Sequence, residues 1–146
     1  MKFYLAARYS RRNEMQGVAR ELRSLGHTVV SRWLHADPNR SDAQAAAEDI
    51  EDLEECSALI LFTEEPNCGG RNRGGRHVEF GWALGRELDI FVIAPRENVF
   101  HYLPEVKVFD DMQRLLLYLA ENEPMRALCD ESLFPGHDPV AAIKGR

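Results

Sequence analysis

The sequence predicts a doubly wound α/β domain built on a parallel sheet of about five strands. Three observations carry that reading. Strand-like and helix-like segments alternate along the chain. The strand-like segments are continuous apolar runs, as expected where both faces of a sheet are covered. The helix-like segments carry apolar residues at helical spacing.

Residues 2–7 read as a short buried strand. Residues 12–25 read as a helix, because Met15, Val18, Ala19, Leu22 and Leu25 fall on one face and Gly26 sits where a C-cap is expected. The β-branched stretch 27–33 reads as the second strand. Asp37-Pro38-Asn39 marks a loop, and Ser41 or Asp42 caps a helix running to about Cys56. Its inward stripe is Ala46, Asp49 or Ile50, and Leu53. Residues 57–63 form a third strand. Residues 64–75 hold four glycines and a proline, which excludes a helix or a central strand. A helix follows over about 76–88, where Gly81 and Gly85 are expected to let it approach the sheet closely. Residues 90–95 read as a fourth strand, 106–109 as a last short one, and 111–121 as a helix with Leu115, Leu116 and Leu119 inward. The domain is thus expected to occupy residues 1–122, with 123–146 an irregular tail marked by Pro124, Pro135, Gly136 and Pro139.

Composition narrows the function. The 146 residues carry a net charge of −6, which counts against binding a nucleic acid polymer. No apolar run approaches the ~20 residues needed to cross a bilayer, and residues 1–8 lack a signal-peptide stretch. The expectation is a soluble cytoplasmic domain with no membrane partner. The three cysteines, Cys56, Cys68 and Cys129, argue against a disulfide scaffold and a Cys-rich zinc site. His77 has no partner at metal-ligand spacing and is assigned no metal role; no cofactor is expected.

The basic residues are nonetheless unusual. Only Lys2, Lys107 and Lys144 of the 18 are lysine. Arg8, Arg11 and Arg12 follow the first strand, and Arg71, Arg73 and Arg76 follow the third. Ligands of doubly wound sheets bind outside the carboxyl ends of the strands, so both clusters belong to one edge. Arginine suits bidentate recognition of phosphate, which makes that edge a candidate anion site.

Candidate chemistry sits on the same edge. Glu79 is placed in the first turn of its helix, where the dipole favours an ionised carboxylate, and such a group can act as a nucleophile. Asp49 shares a stripe with core positions of the preceding helix, with Asp52 and Glu48 as competitors. Tyr4, in the first strand, is either a core residue with its hydroxyl paired or a hydrogen-bond partner of the nucleophile. Trp33 and Tyr9 are candidates for stacking on a base. Paired carboxylates are what glycosidic cleavage requires.

Together, Phe3-Tyr4-Leu5-Ala6-Ala7, Asp49-Ile50-Glu51-Asp52-Leu53 and His77-Val78-Glu79-Phe80-Gly81-Trp82-Ala83-Leu84-Gly85 resemble the nucleoside 2-deoxyribosyltransferase superfamily, with its 2′-deoxynucleoside 5′-phosphate N-hydrolases. The resemblance spans roughly residues 2–95. It implies a flavodoxin-like fold and cleavage of an N-glycosidic bond. Glu79 falls on the family nucleophile, Asp49 on the residue that assists at the base, and Tyr4 on the residue that orients the glutamate. Substrate contacts are expected from Arg8, Ser10, Arg11, Arg71, Arg73, Gly75, Arg76 and Trp33. The arginines favour a nucleoside 5′-monophosphate, and so hydrolysis, over base exchange on a neutral nucleoside. A nucleotide-binding module without turnover and a ribonucleotide or NAD-type glycohydrolase are the other readings. Family members are dimers or larger, so a homodimer or higher homo-oligomer is expected. One departure is Ala6-Ala7-Arg8, where the family's loop begins with glycine.

Overall fold

The computed structural model describes residues 1–65 and 74–129, and their side chains as far as residue 122. Five parallel strands form one sheet: β1 (Lys2–Ala6), β2 (Thr28–Val29), β3 (Ala58–Phe62), β4 (Asp89–Ile93) and β5 (Val106–Phe109), in the order β2-β1-β3-β4-β5. That is the flavodoxin-like order, with its switch point between β1 and β3. The connecting helices are α1 (Arg12–Ser24), α2 (Asp42–Glu55) and α3 (Gly75–Gly85), and α4 (Met112–Cys129) follows β5. α2 and α3 touch each other and both touch β1, so they share one face of the sheet.

The central strands are apolar because both of their faces are covered. Every residue of β3 is buried, as are Phe3–Ala6 of β1 and Ile90–Ile93 of β4. The stripe of α1 buries Met15, Val18, Ala19 and Leu22. Leu25 does not join it. The helix stops at Ser24, and Gly26 turns the chain at φ 86°, leaving Leu25 exposed. On α2 the buried positions are Asp52 and Leu53, whereas Ala46 faces solvent.

The second strand is much shorter than the pattern over 27–33 suggests. β2 ends at Val29, and a 3-10 turn spans Arg32–His35. The edge of β1 beyond it is closed by side chains. The Leu5 N–H donates to Ser31 Oγ at 2.7 Å, and the Leu5 carbonyl oxygen accepts from Trp33 Nε1 at 2.9 Å. Two side chains thus replace a ladder pair. They satisfy backbone groups whose burial unpaired is costly.

The third helix also differs. It ends at Gly85 rather than 88, because Glu87 takes a left-handed conformation at φ 56°. Gly81 and Gly85 are exposed, and a Cβ at either would meet open space, so they do not bring the helix closer to the sheet. The inward residues of α3 are Arg76, Phe80 and Ala83.

The chain divides into two compact units, Met1–Met112 and Gln113–Arg146. α4 buries Leu115 and Leu119 and half-buries Leu116. It continues to Cys129, into the segment expected to be irregular; the rest of that segment lies outside the described residues.

Replacing Ser31 by alanine leaves the buried Leu5 N–H without an acceptor. We expect a loss of about 1–3 kcal/mol in urea unfolding. Unchanged stability would contradict the role given to Ser31.

Candidate active site

Tyr4 lies mid-strand in β1 and is fully buried. Its hydroxyl donates to Glu79 Oε1 at 2.7 Å, joining β1 to α3. α3 begins after Gly74, which holds a left-handed φ of 73° that most other residues avoid. From that start Glu79 is in the second turn, and the first turn carries no acid. The expected help from the helix dipole is therefore absent, since it fades within one turn. Burial dominates instead and pushes the Glu79 carboxyl up to about 7. The Tyr4 hydrogen bond and the Arg76 cation oppose that rise, and Asp49 adds to it.

Asp49 approaches the same hydroxyl from α2. The start of that helix is fixed by a capping box, in which Ser41 Oγ accepts from the Gln44 N–H and the Gln44 side chain accepts from the Ser41 N–H. Burial raises the Asp49 carboxyl; nearby Asp52 and Glu48 add to this, while Arg40 and the Tyr4 hydroxyl oppose it. Its Oδ1 is buried with no hydrogen-bond partner among the described residues. The competing acids are committed elsewhere. Asp52 accepts from the Arg32 backbone N–H at 2.7 Å and from Arg32 Nε at 2.5 Å, and Glu48 pairs with Arg40. Two carboxyl groups of raised proton affinity thus flank one phenol. The Tyr4 hydroxyl is itself driven far above its ordinary value, first by burial and then by Glu79 and Asp49.

The expected phosphate contacts are distributed unevenly. Arg71 and Arg73 lie outside the described residues. Arg8 and Ser10 follow the end of β1, with Ser10 exposed in a 3-10 turn over Tyr9–Arg11. Arg11 forks onto Glu14 at 2.7 and 2.8 Å, reaches Glu64 at 3.3 Å and lies over the Phe62 ring. Arg76 is 4% exposed and pairs with Glu97 at 2.6 Å. Gly75 is exposed at the start of α3. Trp33 is buried against Leu5, with the Tyr9 ring at 6.3 Å. Glu64 and Glu97 were not singled out from the sequence, because nothing local marks the carboxylates that neutralise distant arginines.

A cavity of about 410 Å³ lies elsewhere, beyond the end of β2, lined by Ser31, Arg32, His35, Arg40 and Glu48 among others. Neither Tyr4 nor Glu79 borders it. Its arginines are already engaged, Arg40 by Glu48, Arg32 by Glu51 and Asp52, and Arg23 by the Val29 carbonyl oxygen. The titratable groups of raised proton affinity converge instead at Tyr4 and Glu79. No group of three potential metal ligands occurs among the described residues.

Fold and site together define a flavodoxin-like domain with a tyrosine-held carboxylate at the strand edge. No protein-family model matches the chain, and no curated protein sequence matches it. Among solved structures, the fold is similar to that of the Clostridium botulinum CMP N-glycosidase BcmB. The TM-score is 0.59 at 23% identity, over 82% of this chain and 100% of that one. No described helix is long and apolar enough to cross a membrane.

The raised Glu79 carboxyl has a thermodynamic consequence. Because the folded state binds this proton more tightly than the unfolded chain, stability falls as pH rises from about 4.5 through about 7. Glu79→Gln removes that loss while keeping an acceptor for Tyr4. We expect the variant to be more stable than the parent by about 1–3 kcal/mol at pH 8.5 and nearly equal at pH 4, read by urea unfolding. A less stable variant at pH 8.5 would contradict the assigned environment.

Proposed function

We propose that this protein cleaves the N-glycosidic bond of a nucleoside or deoxynucleoside 5′-monophosphate, giving free base and the sugar 5-phosphate. The observation that carries the reading is the Tyr4 hydroxyl donating to the half-buried Glu79 carboxyl, with Asp49 acting on the same hydroxyl. The motif resemblance and the fold of the CMP N-glycosidase support it.

In the proposed reaction the Glu79 carboxylate attacks C1′ through an oxocarbenium-like transition state. The C1′–N bond breaks, and its electron pair leaves with the base. Asp49, whose proton affinity is raised by burial, protonates or hydrogen-bonds the departing base. Water then opens the glycosyl ester and regenerates Glu79. Tyr4 holds the attacking oxygen in one orientation, which lowers the entropic part of the barrier. Arg8, Arg71 and Arg73 are the other arginines proposed for the 5′-phosphate. Base exchange on a neutral nucleoside is the second reading. It is favoured by one observation, that Arg11 and Arg76 already face carboxylates.

Incubation with CMP, dCMP and the purine and pyrimidine counterparts, followed by chromatography, is expected to show free base. Glu79→Gln should lower the rate by about 10³-fold or more. Full activity in that variant would remove Glu79 from the reaction. Base exchange outpacing hydrolysis would install the second reading.

Attack needs the carboxylate, so kcat/KM should rise with pH and level off above about 7. The Tyr4 hydrogen bond favours the ionised form, so Tyr4→Phe should move this limb to higher pH and lower kcat by about 10²-fold. A limb unmoved in Tyr4→Phe would show that the hydrogen bond does not control the group that titrates.

A further inference from the structure

Arg76 was expected to contact phosphate, but its surroundings are those of an internal ion pair. Its Nη2 donates to Glu97 Oε1 at 2.6 Å. The same oxygen accepts from the Glu64 N–H at 3.2 Å, at the end of β3. The Glu97 N–H donates to His101 Nδ1 at 3.3 Å, and the His101 ring packs edge-on against Phe80 of α3 at 5.0 Å. His77 Nε2 lies 3.7 Å from Glu97 Oε2. The segment leaving β4 is bent back to make these contacts. Ala94 adopts a left-handed φ of 69°, a conformation a residue with a side chain seldom takes, and its N–H is held by the Phe109 carbonyl oxygen at 2.8 Å. Such backbone strain persists only where surrounding contacts enforce it.

Arg76 precedes Glu79 by three residues on α3, the spacing that brings helix side chains together. We propose that Glu97 is a positioning residue of the site: it holds the Arg76 guanidinium one helical turn before Glu79, so that a fixed cation stands beside the reacting carboxylate. Glu79 is otherwise faced by Tyr4 from β1 and Asp49 from α2, and Arg76 is the cation that favours its ionised form. Glu97 pairs with that cation, and His77 and His101 lie against Glu97. The inference rests on Glu79 as the reacting group, and it assigns Arg76 to the carboxylate rather than to the substrate phosphate.

The test is a ¹³C NMR titration of the Glu79 carboxyl without substrate, its resonance assigned by loss in Glu79→Gln. Arg76→Gln should raise the midpoint by about one pH unit. Glu97→Ala and Glu97→Gln remove the same charge, but only glutamine keeps an acceptor for Arg76. The alanine variant should therefore raise the midpoint toward that of Arg76→Gln. The glutamine variant should leave it at or below the parent value. Equal midpoints in the two Glu97 variants, or no shift in Arg76→Gln, would overturn the proposal. Should Glu97→Ala fail to fold, Glu97→Val, which also lacks an acceptor, makes the same comparison. The titration involves no turnover, so it can fail while glycosidic cleavage stands, or succeed while the substrate proves different.

Discussion

The hydrogen bond between the Tyr4 hydroxyl and the Glu79 carboxyl is the contact around which the candidate site is organised. It requires β1 to be central in the sheet, so that Tyr4 is dry. It requires α3 to begin just after a glycine in the left-handed region, so that Glu79 faces the strand. It also requires α2 on the same face, so that Asp49 reaches the same phenol. A carboxylate in such a place is disfavoured by lost solvation. The protein leaves that penalty partly uncorrected, and Glu79 titrates near neutrality rather than deep in the acid range. Groups poised near the working pH are frequent at reactive sites, where function is often obtained at the expense of stability.

The distribution of arginine follows the same logic of compensation. Arg11 links the end of β1 to Glu64 after β3, and Arg76 links α3 to Glu97 after β4. Both pairs lie at the carboxyl edge of the strands, where a doubly wound sheet binds its ligands. The arginine-rich composition thus has a structural use as well as a candidate binding one.

Much of the fold was legible because its causes are local. Continuous apolar runs over 57–63 and 90–95 announced covered strands, and the stripe through Met15, Val18 and Leu22 announced α1. Tyr4, Asp49 and Glu79 were singled out from motifs, and the structure brings them around one hydroxyl. What escaped was non-local. Ser31 and Trp33 look like strand residues in sequence, yet they close the edge of β1 with their side chains. The glycine-rich approach to α3 concealed its first residue, and a start one residue earlier than expected carried Glu79 past the first turn, where burial rather than the helix dipole governs its carboxyl. The partners of Arg11 and Arg76 come from the ends of other strands, which no spacing along the chain discloses.

The most direct measurement is to trap the covalent intermediate. A 2-fluoro-substituted nucleoside monophosphate slows breakdown of a glycosyl ester; acid quenching and peptide mass spectrometry then locate it. The account predicts one sugar-phosphate adduct, carried on Glu79 and absent from Glu79→Gln. Release of free base with no adduct, or an adduct on any other residue, would contradict it.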